Sequence, residues 1–199
     1  MGIAVKGGQS SCMGLEATIL SGMAGRIAVV DEHNRFVRWE DRREIHIHRL
    51  VHRSVHVAVF DHGGRLVIQR RNGDKDTYPL HWDMSCAGHV EESDYTAGPD
   101  DDLDAVYAAV ARRELEEELG VRAPLELLGH FAPEPGVHYE QLRLFRVVSD
   151  GPYVLQPEEV AEIRPVTRAG YSALAEAGEP ITHALAWFVA WMIDQGSWA

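Results

Sequence analysis

Apolar residues alternate with others over Val55, Val57 and Val59, the pattern of a half-buried strand. The turn Asp61-His62-Gly63-Gly64 follows, and Leu66, Ile68 and Arg70 continue the alternation on a second strand. Arg26–Val30 and Phe36–Trp39 flank Asp31-Glu32-His33-Asn34 as a hairpin that opens the fold. His46 and His48 also alternate and read as part of a plain surface hairpin. The period changes to helical over Leu103–Leu119, where Ala108, Ala111, Leu115 and Leu119 form an apolar stripe and Gly120 stands at the C-terminal cap. Further strands are expected near Leu125–Phe131, His138–Val148 and Glu162–Val166. Helices are expected over Tyr171–Ala177 and Thr182–Ile193, the second with Leu185, Val189 and Met192 on one face. Strands before, between and after helices predict an α/β fold with a mixed sheet covered by helices. Residues 1–25 are rich in small residues with little periodicity and read as a mobile tail, which leaves residues 26–199 as one domain without internal repeats.

Composition bounds the class without naming the chemistry. The 199 residues suit one core, and 45% apolar with 25% charged residues is ordinary for a globular chain. No apolar run is long enough for a membrane span. A formal net charge of −12 argues against broad nucleic-acid binding, because a surface that tracks phosphates needs clustered Lys and Arg. The two cysteines, Cys12 and Cys86, make no disulfide framework, so the expected compartment is the cytoplasm.

The segment that changes the picture is Arg113-Glu114-Leu115-Glu116-Glu117-Glu118-Leu119-Gly120-Val121. At helical spacing Glu114, Glu117 and Glu118 share roughly a 100° arc, while Glu116 points away. Like charges at this spacing repel, and the last two sit where the helix dipole disfavours anions. A sequence selected only for stability would avoid the arrangement. A bound divalent cation removes both objections, and hard oxygen donors suit Mg²⁺, with Mn²⁺ as the alternative. An exposed acidic helix face is the competing reading of the triplet alone.

Gly88 followed by Arg113-Glu114-Leu115-x-Glu117-Glu118-x-Gly120-Val121 resembles the Nudix signature, G-x5-E-x7-R-E-U-x-E-E-x-G-U with U aliphatic. The second half agrees at every specified position. The resemblance implies an α/β/α sandwich with a mixed sheet and hydrolysis of nucleoside diphosphates linked to another moiety. It also implies that Glu114 and Glu118 ligate Mg²⁺, that Glu117 is a further ligand or the base, and that Arg113 is their tether. The first half departs from the pattern, because between Gly88 and Arg113 the chain runs about eleven residues longer than the signature. The extra residues are placed within Glu92–Leu103 and read as a lid, a metal-responsive loop or a disordered excursion. Asp104 is expected to cap the helix, and Asp94 stands at the right distance from Gly88.

The order of other segments looks like the isopentenyl-diphosphate-isomerase-like branch of Nudix proteins. It runs from His52-Arg53 through Ile68-Gln69-Arg70-Arg71, Tyr78-Pro79-Leu80-x-Trp82-Asp83 and Ala87-Gly88-His89 to the stretch around Pro157-Glu158-Glu159. The true isomerase is the alternative function. His52, His89, His138 and Glu140 fall where its metal residues would, but Ala87 rather than Cys86 precedes Gly88. A non-catalytic ligand-sensing module is the second alternative, and the intact glutamate set counts against it. Hydrolysis is preferred, with Glu117 and Glu140 as candidate bases. Arg70, Lys75 and His89 form the expected substrate-binding set, although strand alternation admits only one of Arg70 and Arg71 to a pocket. The expected partner is a small phosphorylated substrate, and the resemblance raises the expectation of a homodimer, with Trp187 and Trp191 as one candidate surface.

Overall fold

A computed structural model describes residues 25–134 and 136–198, so the tail reading lies, apart from Gly25, outside the described residues. Strand β3 (His52–Phe60) is the spine of the sheet. It pairs in parallel with β8 (Glu140–Val148) along its whole length, from His52 opposite Glu140 to Phe60 opposite Val148. Its other edge pairs antiparallel with β6 (Cys86–His89) over Ser54–Val57 and then with β4 (Leu66–Arg71) at Val59 and Phe60. β1 (Arg26–Val30) and β2 (Phe36–Asp41) form the expected hairpin beside its start. β5 (Trp82–Asp83) and β9 (Val160–Val166) pair with β4, and β7 (Glu126–Phe131) pairs with β8.

The half-buried reading of β3 fails, because all nine of its residues are buried. Both faces of the sheet are covered. Val55, Val57 and Val59 pack under helix α2 (Leu103–Leu119), whereas Ala58 and Phe60 pack against Leu185, Phe188 and Met192 of helix α4 (His183–Asp194). A parallel partner and two helical layers turn an alternating sequence into a doubly buried strand. Helix α3 (Arg168–Glu176) follows β9 and lends Tyr171 and Leu174 to the α4 side. The result is the expected α/β/α sandwich. Among the described residues, no helix is long and apolar enough to cross a membrane.

Helix α2 is fixed at both ends. Asp102, not Asp104, is its N-cap and accepts from the Ala105 amide at 3.4 Å. Asp104 lies in the first turn and pairs with Arg143 at 2.6 Å. Gly120 closes the helix at φ 67, and a Cβ there would meet Val154 Cβ at 2.8 Å. Its buried stripe is Val106, Tyr107, Val110, Ala111, Leu115 and Leu119, with Ala108 only half-buried. Each full burial of a large apolar side chain contributes about 1.5–3 kcal/mol, so packing rather than propensity holds a helix with four glutamates.

A short helix, α1 (Arg42–His48), occupies the segment that alternation assigned to a hairpin. Only Ile45 is buried in it, while Ile47 is 56% exposed, so seven residues carry too little apolar period to reveal a helix. The inserted residues before α2 are docked rather than disordered. The guanidinium of Arg53, with no exposed surface, donates to Asn34 Oδ1 at 2.8 Å, Tyr95 Oη at 3.0 Å and Asp100 Oδ1 at 2.6 Å, and also to the Pro99 carbonyl. Asp100 in turn accepts from the Phe36 amide at 2.9 Å. Arg53→Met is therefore expected to cost about 2–3 kcal/mol, since it leaves buried acceptors unpaired. A lower denaturant midpoint and new protease cleavage within residues 95–102 would show it; an unchanged midpoint would mean the loop is held by other contacts.

Candidate active site

The last two turns of α2, the end of β6, the start of β8, β4 and α1 surround one cavity of about 380 Å³. Glu114, Glu117 and Glu118 line it together, as the helical spacing predicts. Glu118 is 5% exposed and accepts from Gln69 Nε2 at 2.8 Å. Burial, reinforced by the charge of Glu114, pushes its carboxyl up to about 8. Glu114 is likewise pushed by burial to about 7, against the opposing pull of Arg113. Glu117 stands at the wetter edge, its side chain 51% exposed.

Arg113 organises this wall. Its guanidinium lies 2.9 Å from Glu114, 3.2 Å from Glu117 and 3.2 Å from Asp94. Asp94 also accepts from the Glu91 amide at 2.8 Å, closing a one-turn 3₁₀ helix over Glu92–Asp94. The structure thus gives Asp94 a partner in Arg113. Gly88 faces the same wall, and a Cβ there would lie 2.1 Å from Glu114 Cδ. Only a glycine leaves room for that carboxylate.

A second group of ligands faces the helix from the sheet. The donor atoms of His52, His89 and Glu140 lie within 4.8 Å of one another. His52 Nε2 is 3.5 Å and His89 Nε2 3.9 Å from Glu140 Oε1. His52 Nδ1 lies 2.8 Å from the Leu50 carbonyl, which can only accept, so Nδ1 carries a proton and Nε2 is the atom turned toward Glu140. Burial pushes His89 well below its ordinary value. Burial would raise Glu140, yet His52, His56 and His89 hold it well below the usual carboxylate range. His52 Nε2, His56 Nδ1 and His138 Nε2 are buried without a hydrogen-bond partner. His46 completes this side, its ring centroid 5.2 Å from that of His89. Two imidazoles beside a carboxylate form a donor set for a transition metal.

Of the expected substrate-binding set, His89 and Lys75 line the cavity, although Lys75 is already paired with Glu159. Arg70 does not line it. Its guanidinium donates to the Leu80 carbonyl at 3.0 Å and lies 3.7 Å from Glu162, while alternation gives the inward place to Arg71. Arg71 pairs with Asp83 at 3.1 Å. Arg42 at the start of α1 also lines the cavity and was missed together with its helix. Trp187 and Trp191 pack on Phe131, with centroids at 5.1 and 5.0 Å. Cys86 has no exposed surface and packs with Val55, Val57 and α2, where burial pushes its thiol well up.

The family model of the NUDIX domain matches residues 50–188. The chain belongs to the Nudix family. An uncharacterized Nudix hydrolase of Pseudomonas aeruginosa is 38% identical over 140 residues, 69% of this chain and 76% of the relative. One of Yersinia pestis is 34% identical over 138 residues, 69% and 70% of the two chains. Among solved structures, that of DR0079 from Deinococcus radiodurans superposes with TM-score 0.68 at 24% identity, covering 83% of this chain and 97% of that one, and so supports the fold. This Nudix chain is thus a hydrolase whose cavity is built by the signature helix and by the strands opposite it.

Proposed function

We propose that the chain is a Mg²⁺-dependent hydrolase of a diphosphate linkage in a nucleoside-diphosphate-type or related small molecule. The observation that carries this reading is the pair of buried carboxylates, Glu114 and Glu118, on one cavity wall beside Arg113, which burial pushes up to about 7 and 8 and which a bound cation would hold ionised. Their oxygen-only donor chemistry fits Mg²⁺. When bound, the ion neutralises charge on the phosphate oxygens and lowers the pKa of a water beside them. Glu117, exposed at the rim and held by Arg113, and Glu140 on the opposite wall are the two candidates for the base that takes the proton of the attacking water. Arg71 and Arg42 supply positive charge along the cavity for the remaining phosphate oxygens.

The group of His52, His89 and Glu140 favours a second reading, isopentenyl-diphosphate isomerase, with a metal on those three residues. The buried Cys86 thiol, packed on the α2 side, weighs against it. One assay separates the two. The chain with Mg²⁺ is presented with nucleoside diphosphate sugars, dinucleotides, nucleoside triphosphates, coenzyme A and isopentenyl diphosphate, and products are identified with and without EDTA. Cleavage of a diphosphate linkage that EDTA stops is the expected result. Double-bond migration without cleavage would replace the hydrolase by the isomerase. Binding without any turnover would leave a sensing module.

A further inference from the structure

Arg113 is tied to its own helix by Glu114 and Glu117, at 2.9 and 3.2 Å, and to the rest of the fold by Asp94, at 3.2 Å. Among the described residues, Asp94 is its only ionic or hydrogen-bonding partner outside α2. Ties within one helix move with the side chains they join, so they cannot fix where the guanidinium stands over the cavity. What holds Asp94 therefore holds this wall. Asp94 closes a one-turn 3₁₀ helix, and a single turn orders several residues for one hydrogen bond, so it leans on its neighbours. On one side Glu92 pairs with Arg26 at 2.6 Å, an exposed pair that adds little.

On the other side the anchorage is buried. Tyr95, the next residue, accepts from Arg53 at 3.0 Å, and its ring stands edge-on to Trp39 with centroids 5.3 Å apart. The same Arg53 holds Asp100 at 2.6 Å and the Pro99 carbonyl, and Asp102 beyond them caps α2. The loop is thus pinned to β3 by one guanidinium, and it meets α2 twice, through Asp94 at Arg113 and through Asp102 at the first turn. Burying that guanidinium completely is costly, and an apolar side chain would fill the place at less cost. What Arg adds is direction, since a planar fork with several donors admits one pose of the acceptors around it.

We propose that Arg53 is a positioning residue for the metal helix: by fixing the loop from Tyr95 to Asp100 it holds Asp94 against Arg113, and through Arg113 it sets the carboxylates of Glu114 and Glu117. The proposal rests on the reading of the α2 glutamates as metal ligands. Mn²⁺ binding, followed by electron paramagnetic resonance without substrate, tests it on variants whose circular dichroism matches the parent. Arg53→Lys keeps the charge and loses the fork, and should weaken Mn²⁺ binding about tenfold. Tyr95→Phe, which keeps the ring, should shift it in the same direction and carries the test if Arg53→Lys does not fold. In an Asp94→Ala background Arg53→Lys should cost nothing further, because both changes release the same guanidinium. Unchanged Mn²⁺ affinity in the folded variants would overturn the proposal and leave Arg53 a purely structural residue. An undiminished loss in the Asp94→Ala background would overturn it as well. A parent that shows the expected Mn²⁺ losses yet cleaves no diphosphate would overturn the hydrolase reading and uphold this one. A parent that binds no Mn²⁺ would overturn both.

Discussion

Glu118→Gln is expected to lower kcat/KM by about 10²–10³-fold and to leave the metal-free fold as stable as before, or more so. The two halves of the expectation share one cause. Glu118 is almost fully buried, with hydrogen bonds from Gln69 and the Ala87 backbone and another carboxylate, Glu114, on the same helix face. A buried carboxylate in that setting is costly when ionised. Its folded pKa of about 8 lies above the unfolded value, so the folded state holds an extra proton in between. Its stabilising contribution is complete below the unfolded pKa and is lost as pH rises through about 8. Gln has nearly the same shape and no charge to lose. In EDTA, thermal unfolding between pH 5 and pH 8 should therefore show a flatter fall in Tm for the variant. With Mg²⁺ the order should reverse, because the cation stabilises the parent by mass action and gains little from the amide. The activity loss corresponds to about 3–4 kcal/mol of transition-state stabilisation, the scale of one misplaced electrostatic group in a closed site. An active variant, or one that melts far below the parent in EDTA, would remove Glu118 from the metal site.

How much of this was legible in the sequence depended on how many residues each signal spread over. The α2 period runs for 17 residues, so its limits, the Ala111, Leu115 and Leu119 part of its buried stripe and the shared face of Glu114, Glu117 and Glu118 were readable, whereas Val106, Tyr107 and Val110 were not. The parallel pairing of β3 with β8 was not, since their partners are nearly 90 positions apart and no local pattern encodes which edges meet. For that reason the approach of His52 and His89 to Glu140 needed the fold, or a family pattern, to be seen. The choice between Arg70 and Arg71 turned on which face of β4 meets the cavity, and alternation states only that the two differ. Helix α1 was hidden by its brevity, and Arg42 and His46 were hidden with it. The cap moved from Asp104 to Asp102 because Arg143, a residue of β8, claims the former. In each of these cases a distant element decided a local outcome.

Gly88→Ala should disable the enzyme through a neighbour. The new methyl group would sit 2.1 Å from Glu114 Cδ and 2.2 Å from its Oε1, far inside any contact distance. Something must shift. Gly88 is held in β6 by its pairing opposite Val55 in the buried spine, whereas the Glu114 side chain turns about its own bonds. The carboxylate will move, and the strand will stay. Stability should then change by no more than about 1 kcal/mol, as for substitutions that disturb one flexible side chain. The metal site, if Glu114 belongs to it, loses a ligand, so kcat/KM should drop about a hundredfold and the Mg²⁺ needed for half activity should rise. The discriminating measurement is a cycle with Glu114→Ala. If Gly88 acts only by leaving room for Glu114, the double variant is no worse than Glu114→Ala alone, because the two changes remove the same interaction. Additive losses would mean that Gly88 serves the strand or the substrate directly, and undiminished activity in Gly88→Ala would mean that Glu114 ligates nothing from the position it now holds.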